Sequence, residues 1–262
     1  TALQIFTRNQ VRWEAPPLDQ AEALAFRDAC TRSPLVFVCA HASYLINLAS
    51  PDPVTRERSV DALSEELRRA DALGCACLIM HPGSPKSDSR ATGIARIVAG
   101  LRLVLERDAD CSARIALENT AGQGATLGAT VQDMADILGA VGQPDRLALC
   151  LDTCHAFASG IDLRSMAVLR TWLESIDAAV GLDKVMALHL NDSRKGLGEN
   201  VDRHEQIGEG MIGERGFANL LSIERLRGVP GILETPKDDK TLEEDRRNLA
   251  ILRRLQLNVG CQ

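Results

Sequence analysis

The strongest constraint on the fold is a repeated alternation between short apolar runs and longer amphipathic segments. Each short run is typical of a buried strand, and each longer segment has the apolar spacing of a helix. Repeated βα units of roughly 30 residues predict a parallel α/β sheet, which is either open or closed. The predicted strands cover residues 3–7, 35–40, 75–80, 113–117, 147–151, 185–188 and 231–233.

Helical spacing separates these strands. The longest helical pattern covers residues 53–73, with Val60, Leu63 and Leu67 on one face, a proline at its start and Gly74 after its end. Other helices are predicted at 21–29, 94–105, 130–138, 168–176, 217–223 and 241–255. A long loop is expected from about residue 191 to 215, because the sequence there has neither period.

A histidine or a carboxylate stands at the carboxyl end of six of the seven predicted strands. In an open sheet these strand ends would lie along an edge, whereas in a (β/α)8 barrel they converge on the active-site face. The pattern therefore favours a TIM barrel. The six strand-end residues are His41, His81, Glu118, Asp152, His189 and Glu234.

The number of strands qualifies this prediction. The pattern supplies seven strands, but a barrel of about 250 residues has eight. Because the chain begins directly on a strand, we expect that a first βα unit is missing. The expected organisation is one N-terminally truncated barrel domain over residues 1–262.

Three further candidates lie in loops beyond the strands, so that all five histidines belong to the set. The three are His155, Asp202 and His204. An isolated D-x-x-H, such as Asp152 and His155, would more simply be a helix cap and a hydrogen-bonded histidine. An apolar run that ends in a metal-type ligand recurs at five other predicted strands, however, and this recurrence argues for metal. Imidazole and carboxylate suit zinc, with manganese or iron as alternatives at one site.

Nine ligands exceed one tetrahedral site, and with one shared carboxylate they fill three. The eight cysteines include no C-x-x-C pair, so we expect buried free thiols, with a zinc-thiolate site as the alternative. The net charge of −6 would argue against nucleic acid. Three divalent cations would offset this charge. The local electrostatic field at the site is therefore a better guide to nucleic-acid binding than the net charge.

Neither a membrane span nor a signal segment is indicated, since no apolar run reaches about 18 residues and no basic-then-apolar start is present. We therefore expect a cytoplasmic protein. The segment GEGMIG at residues 208–213 fits G-x-G-x-x-G, but it follows a loop and not a strand, so a dinucleotide role is not expected.

Eight motifs identify a resemblance. They are HASYLIN at 41–47, HPGS at 81–84, ENTAGQG at 118–124, LDTCHAFASG at 151–160, HLND at 189–192, VDRH at 201–204, GEGMIG at 208–213 and LET at 233–235. In this order they resemble endonuclease IV, the family of trinuclear-zinc apurinic/apyrimidinic endonucleases. The resemblance runs from QIFTRNQ at 4–10 essentially to the C-terminus.

The resemblance implies three zinc ions and their ligands. It gives the first ion to His41, His81 and Glu118. Glu118 also bridges to a second ion. The ligands that join it there are Asp152, His189 and Glu234, and the third ion is held by His155, Asp202 and His204.

The implied reaction is hydrolysis of the phosphate 5′ of an abasic site in double-stranded DNA, by water that paired cations activate. It leaves a 3′-hydroxyl and a 5′-deoxyribose phosphate, and 3′-blocking groups are expected substrates too. Glu118, Glu234 and His81 are the expected catalytic residues. A monomer in the bacterial cytosol is expected.

The resemblance makes Tyr44 and Leu45 minor-groove wedges at the abasic gap, where unstacking is cheap. The alternative is that both pack under their loop. Asn9 and Gln10 match the family's NQ turn. After that turn the family commonly has Arg and Gln, but this chain has Val11 and Arg12. Arg12 is therefore the expected substitute DNA contact.

Arg203 is expected to contact phosphate, or else to be a solvated loop charge. Two other functions stay open. One is a sugar isomerase or epimerase resembling xylose isomerase, which would not need the third cluster. The other is a lesion-binding protein that no longer cuts.

Overall fold

The computed structural model describes residues 1–238 and 241–259. Packing divides the chain into two compact units. The first contains Thr1–Glu118, Ala125–Gly128 and Gln132–Cys150, and the second contains Asn119–Gly124, Ala129–Val131 and the chain from Leu151 onward. The single domain expected over residues 1–262 stays a prediction.

The first unit is built on parallel strands that pair in sequence order. They are β1 (Ala2–Phe6), β2 (Phe37–His41), β3 (Cys77–Met80), β4 (Arg114–Glu118) and the first four residues of β5 (Leu147–Asp152). Parallel neighbours need crossover connections, and helices provide them here. These helices are α1 (Gln20–Arg32), α2 (Pro53–Ala72), α3 (Arg90–Arg107) and α4 (Val131–Val141).

Helix α2 shows how local sequence sets these elements. Asp52 caps its start by accepting hydrogen bonds from two backbone amides, and Pro53 occupies the first turn, where its missing N–H costs nothing. Leu63 and Leu67 are fully buried on its inner face. Gly74 follows with φ of +76°, a conformation that glycine adopts without strain. The predicted helix at 53–73 is confirmed.

The second unit holds the end of β5 and the remaining elements. They are α5 (Thr153–Ala158), α6 (Met166–Ala179), β6 (Val185–His189), β7 (Asp192–Ser193), β8 (His204–Glu205), α7 (Gly213–Leu221), β9 (Gly231–Ile232) and α8 (Glu243–Val259). Strands β6 and β9 pair in parallel, with His189 opposite Ile232. Strands β7 and β8 form an antiparallel hairpin.

Two elements of the second unit differ from the prediction. The hairpin β7–β8 lies inside the segment that was expected to be a loop, because two-residue strands are too short to show a period. Helix α5 was also missed, since its six residues carry no helical stripe. It forms where the side chain of Asp152 caps the backbone N–H of His155 at 2.6 Å.

Across the described residues, no helix combines the length and apolar character that crossing a bilayer requires.

Candidate metal centre

The ends of two strands and one adjoining loop form a His-His-Glu cluster in the first unit. His41 ends β2, Glu118 ends β4, and His81 directly follows β3. The Nε2 atoms of both histidines lie 3.1 Å from the same carboxylate oxygen, Oε2 of Glu118. One ligand atom from each residue lies within 4.8 Å of the others, which is the spacing a single cation needs.

The tautomer of His41 fits a cation. Its Nδ1 lies 2.8 Å from the carbonyl oxygen of Ala42, which can only accept a hydrogen bond. Nδ1 therefore carries the hydrogen, and Nε2 turns its lone pair toward the Glu118 carboxylate. A lone pair and a carboxylate oxygen repel each other unless a proton or a metal cation lies between them. Glu118 is fully buried, which increases the need for that positive charge.

The second unit gathers three further strand-end residues. Asp152 ends β5, His189 ends β6, and Glu234 follows β9 by two residues. Nδ1 of His189 lies 3.1 Å from Oε2 of Glu234 and 3.9 Å from Oδ2 of Asp152. Ligand atoms of all three lie within 4.8 Å of one another. Asp152 serves as a helix cap through Oδ1 and faces His189 with Oδ2, so capping the helix does not prevent it from facing another candidate ligand.

The remaining candidates in the second unit are joined through Asp202. Its two carboxylate oxygens lie 3.2 Å from Nε2 of His155 and 3.3 Å from Nε2 of His204. Asp152 also approaches, with Oδ2 3.8 Å from Nε2 of His204. Each of the two histidines places Nδ1 against a backbone carbonyl oxygen, of Asn119 and Glu234 respectively. Both Nε2 atoms therefore point toward carboxylate oxygens, as the nitrogens of metal-binding histidines do.

The buried Nε2 of His204 makes no hydrogen bond within the described part of the chain, although two carboxylates face it. An imidazole nitrogen held in this way suits a cation, which would satisfy the nitrogen and both carboxylates at once. Imidazole and carboxylate donors together match zinc. The residues of both units thus fit divalent metal.

Of the described cysteines, only Cys154 lies in a cluster that could hold a metal ion. The seven described cysteines are free thiols, as expected, although Cys30 and Cys111 are only partly buried. Cys261 lies outside the described residues. Cys154 is nevertheless within 4.8 Å of ligand atoms of Asp202 and His204, a neighbour that the sequence did not predict. Burial, and then the charge of Asp152, raises the pKa of Cys154 to about 12. It is therefore a neutral thiol rather than a thiolate in the metal-free chain.

Asn191 supports the ligands and was missed by sequence reasoning. Its Nδ2 donates to Oδ2 of Asp152 at 2.6 Å, and its Oδ1 accepts from the backbone N–H of Glu234 at 2.8 Å. One fully buried amide thereby orients two candidate ligands from different strands. The available signal was its position, two residues after His189 in HLND.

Asp192 fixes the loop at residues 208–213, which follows Asp202 and His204 in the chain. Its carboxylate accepts hydrogen bonds from backbone N–H groups of five residues, which are Ser193, Gly208, Gly210, Ile212 and Gly213. Burial raises the pKa of Asp192 even though these amides favour its charged form. The amides of the GEGMIG segment therefore bind a carboxylate of the same chain, which explains its glycines without a dinucleotide.

The expected DNA contacts of the first unit lie around the NQ turn and the loop after β2. Tyr44 is 63% exposed, so its ring is not packed under its loop. It lies beside His41 and Phe6, with ring centroids 5.9 and 6.3 Å away. Leu45 is half-buried and Arg12 is exposed.

The side chains of the NQ turn bond to neighbouring backbone. Asn9 Oδ1 accepts from the N–H of Val11, and Gln10 Nε2 donates to the carbonyl of Arg8. In the second unit, Arg203 is exposed and donates to the carbonyl of Asp202 at 2.7 Å.

Comparisons with known proteins agree with these observations. Residues 1–255 match the family described as a xylose isomerase-like TIM barrel, which confirms the predicted fold class. A protein of Oleidesulfovibrio alaskensis named "Probable endonuclease 4" is 46% identical over 255 residues, which are 97% of this chain and 86% of the relative. The protein of the same name from Thermoplasma acidophilum is 42% identical over 247 residues, covering 94% of this chain and 84% of the relative.

Solved structures give the same result. The crystal structure of endonuclease IV from Thermus thermophilus superimposes with a TM-score of 0.85 at 36% identity, covering 98% of this chain and 90% of that one. A D-tagatose 3-epimerase-like protein reaches a TM-score of 0.74 at 19% identity, covering 99% of this chain and 89% of that one. The second similarity concerns the fold alone.

Proposed function

Because this chain belongs to the endonuclease IV family, we propose that it is a DNA-repair endonuclease that hydrolyses the phosphodiester bond 5′ of an abasic site. The products are a 3′-hydroxyl and a 5′-deoxyribose phosphate, and 3′-blocking groups are further substrates. The substrate is double-stranded DNA, on which the protein acts as a monomer in the bacterial cytosol.

One observation carries the metal-dependent part of the proposal. In both units, imidazole nitrogens face carboxylate oxygens at 3.1–3.3 Å, and the tautomers of His41, His155 and His204 direct Nε2 toward those oxygens. We assign three zinc ions to these residues. The first takes His41, His81 and Glu118, and the third takes His155, Asp202 and His204. Asp152, His189 and Glu234 hold the second, and the family pattern adds Glu118 to them.

Bound divalent cations would activate water for attack on phosphorus and neutralise charge on the phosphate and the leaving oxygen. The chain's own groups hold and orient the reactants. Glu118 and His81 form the wall of the first site, with the His81 side chain 33% exposed toward solvent. Glu234 keeps one oxygen on His189 and remains partly exposed, so it can orient the attacking water and accept its proton.

Exposed side chains around the first cluster supply recognition of the lesion. An abasic site lacks one base, so separating its neighbouring base pairs costs less than in intact DNA. Tyr44 and Leu45 fill the gap in this proposal, with Asn9 and Gln10 shaping the adjacent turn. Arg12 and Arg203 contact phosphates, which gives a salt-dependent contribution to binding.

The test is cleavage of a labelled duplex that carries one abasic site by the zinc-loaded protein, with an intact duplex and a ketose as control substrates. The expected product is a nick directly 5′ of the lesion with a 3′-hydroxyl that a polymerase extends. Turnover of the ketose would support the isomerase instead. Tight binding of the abasic duplex by fully metallated protein without a nick would support the lesion-binding protein.

A further inference from the structure

A buried network of charged groups lies beneath two loops of the first unit. The fully buried carboxylate of Glu66, on α2, accepts a hydrogen bond from the backbone N–H of Ser43 at 3.2 Å. The same oxygen lies 3.9 Å from Nε of Arg8, whose side chain is also buried. Glu66 therefore lies between the turn that follows β1 and the loop that follows β2.

Arg8 extends the network along the turn. Its guanidinium donates to Oε2 of Glu65 at 3.1 Å, to the carbonyl of Arg12 at 2.9 Å and, at short range, to the carbonyl of Trp13. One side chain thereby ties the far end of the turn to helix α2. Arg69, one helical turn after Glu65, secures the same segment by donating to the carbonyl of Thr7 at 3.0 Å.

Ser43 joins the two loops directly. Its hydroxyl donates to the carbonyl of Gln10 at 2.8 Å and accepts from the N–H of Leu45 at 3.3 Å. Hydrogen bonds to helix α2 and to each other therefore hold residues 8–13 and 43–45 in one arrangement. Their exposed tips include Val11, which is 72% exposed, and Tyr44.

Burying an ionic network to hold two loops has a large free-energy cost. Removing charged groups from water costs several kcal/mol per ion, and apolar packing often stabilises a protein as well or better. In some proteins such networks specify one conformation instead of adding stability, and that is the role inferred for this one. Burial raises the pKa of Glu66 to about 7, while the backbone N–H of Ser43 and the charge of Arg8 favour its charged form.

We propose that Glu66 is a positioning residue whose buried carboxylate sets the arrangement of residues 8–13 and 43–45, and through it the affinity of the chain for abasic DNA. The identity of the ligand rests on the proposed function. Glu66 reaches the loops through Ser43 and Arg8 and contacts no DNA itself. Its role is therefore separable from metal binding and from turnover.

The main test is Glu66→Gln, which keeps the shape and an acceptor for Ser43 but removes the charge that faces Arg8. Dissociation constants for an abasic duplex, zinc content, kcat and amide hydrogen exchange are measured for the variant and the wild type. We expect about tenfold weaker binding. Exchange at residues 43–45 should be faster, while zinc content and kcat stay unchanged.

Glu57→Gln is the matched control. It removes the same charge from an exposed position on the same helix. Wild-type binding and exchange are expected in this variant.

Ser43→Ala is the second test, because it removes the hydroxyl link between the loops without leaving a buried charge unpaired. It should raise the dissociation constant in the same direction even if Glu66→Gln does not fold.

Wild-type binding and exchange in both Glu66→Gln and Ser43→Ala would overturn the inference, and so would loss of zinc from Glu66→Gln. The proposed function fails in a different way. If the wild type binds no abasic duplex but Glu66→Gln still speeds exchange at residues 43–45, the proposed substrate is wrong and the positioning role is supported.

Discussion

The two units hold their candidate ligands by different means. In the first unit, His41 and Glu118 are the last residues of their strands, so strand pairing fixes the position of their backbone. In the second unit, His204 lies in a hairpin whose strands have two residues each, and Asp202 lies just before it. The fully buried Asp192 holds the loop that follows. Asp152 and His189 of the second unit also end strands, so the contrast lies between His41 and Glu118 of the first unit and the loop ligands Asp202 and His204.

The carboxylates of the His41 cluster and the Asp202 cluster differ in exposure. The side chain of Glu118 is 1% exposed and that of Asp202 is 39% exposed. A buried carboxylate between two imidazoles has a strong need for positive charge, while a half-exposed one is stabilised by water without metal. We therefore expect the cluster of the first unit to govern turnover, and the Asp202 cluster to release its ion more easily.

The largest expected effect is that of Glu118→Gln. This change keeps the size of the side chain but removes the negative charge between His41 and His81. We expect turnover of an abasic duplex to fall by orders of magnitude, since the site can no longer hold a cation that activates water. Binding of the duplex should persist. Steady-state cleavage and a gel-shift titration measure the two quantities separately.

Asp202→Asn is the counterpart in the second unit. If the two clusters were equivalent, both variants would lose the same amount of turnover. Unchanged turnover in Glu118→Gln would remove that residue from the mechanism.

The next effect tests the scaffold of the second unit. Asp192→Asn replaces one acceptor oxygen by a donor that faces backbone N–H groups of the 208–213 loop. We expect affinity for zinc at the Asp202 cluster to fall about 10–100-fold, the range typical of outer residues that orient metal ligands. Competition with a chelator, followed as zinc released per chain, measures it.

The wild type should release zinc in at least two phases, and Asp192→Asn should accelerate only the fast one. Glu205→Gln is a suitable control, because Glu205 pairs with Asp192 in the hairpin while its side chain accepts hydrogen bonds from Arg194 and from the backbone N–H of Gln206. Equal acceleration of every phase would contradict the division between the units.

Whether a residue ends a strand or lies in a loop explains how much of the site the sequence could predict. The strands that end in His41, Glu118, Asp152 and His189 show as apolar runs, and a ligand type at each end marks the site. The hairpin β7–β8 has no such signal, since its strands are too short for a period. Asn191 and Asp192 are ordinary polar residues in the sequence. Their roles arise from hydrogen bonds to Asp152, Glu234 and a loop more than ten residues away.

A moderate effect is expected for the exposed ring of the first unit. Tyr44→Ala removes the ring next to His41 that is proposed to act as a wedge, and stacking against bases is worth about 1–3 kcal/mol. We expect roughly tenfold weaker binding of an abasic duplex. Binding of an intact duplex should change less, and zinc content should stay as in the wild type. Tyr44→Phe, which keeps the ring, is the control, and a loss of zinc from Tyr44→Ala would assign the ring a structural role.

The smallest effect is expected for Arg203 of the second unit, where exposure and charge are the only features that suggest a contact. Arg203→Ala should weaken binding of abasic and intact duplexes alike, since a phosphate contact carries no information on the lesion. The slope of log affinity against log salt should fall by about one. Arg225→Ala is the control, because Arg225 is exposed but paired with Asp177 at 2.7 Å. If Arg203→Ala leaves the slope unchanged, this arginine is a solvated loop charge, and the exposed contacts with DNA belong to the first unit.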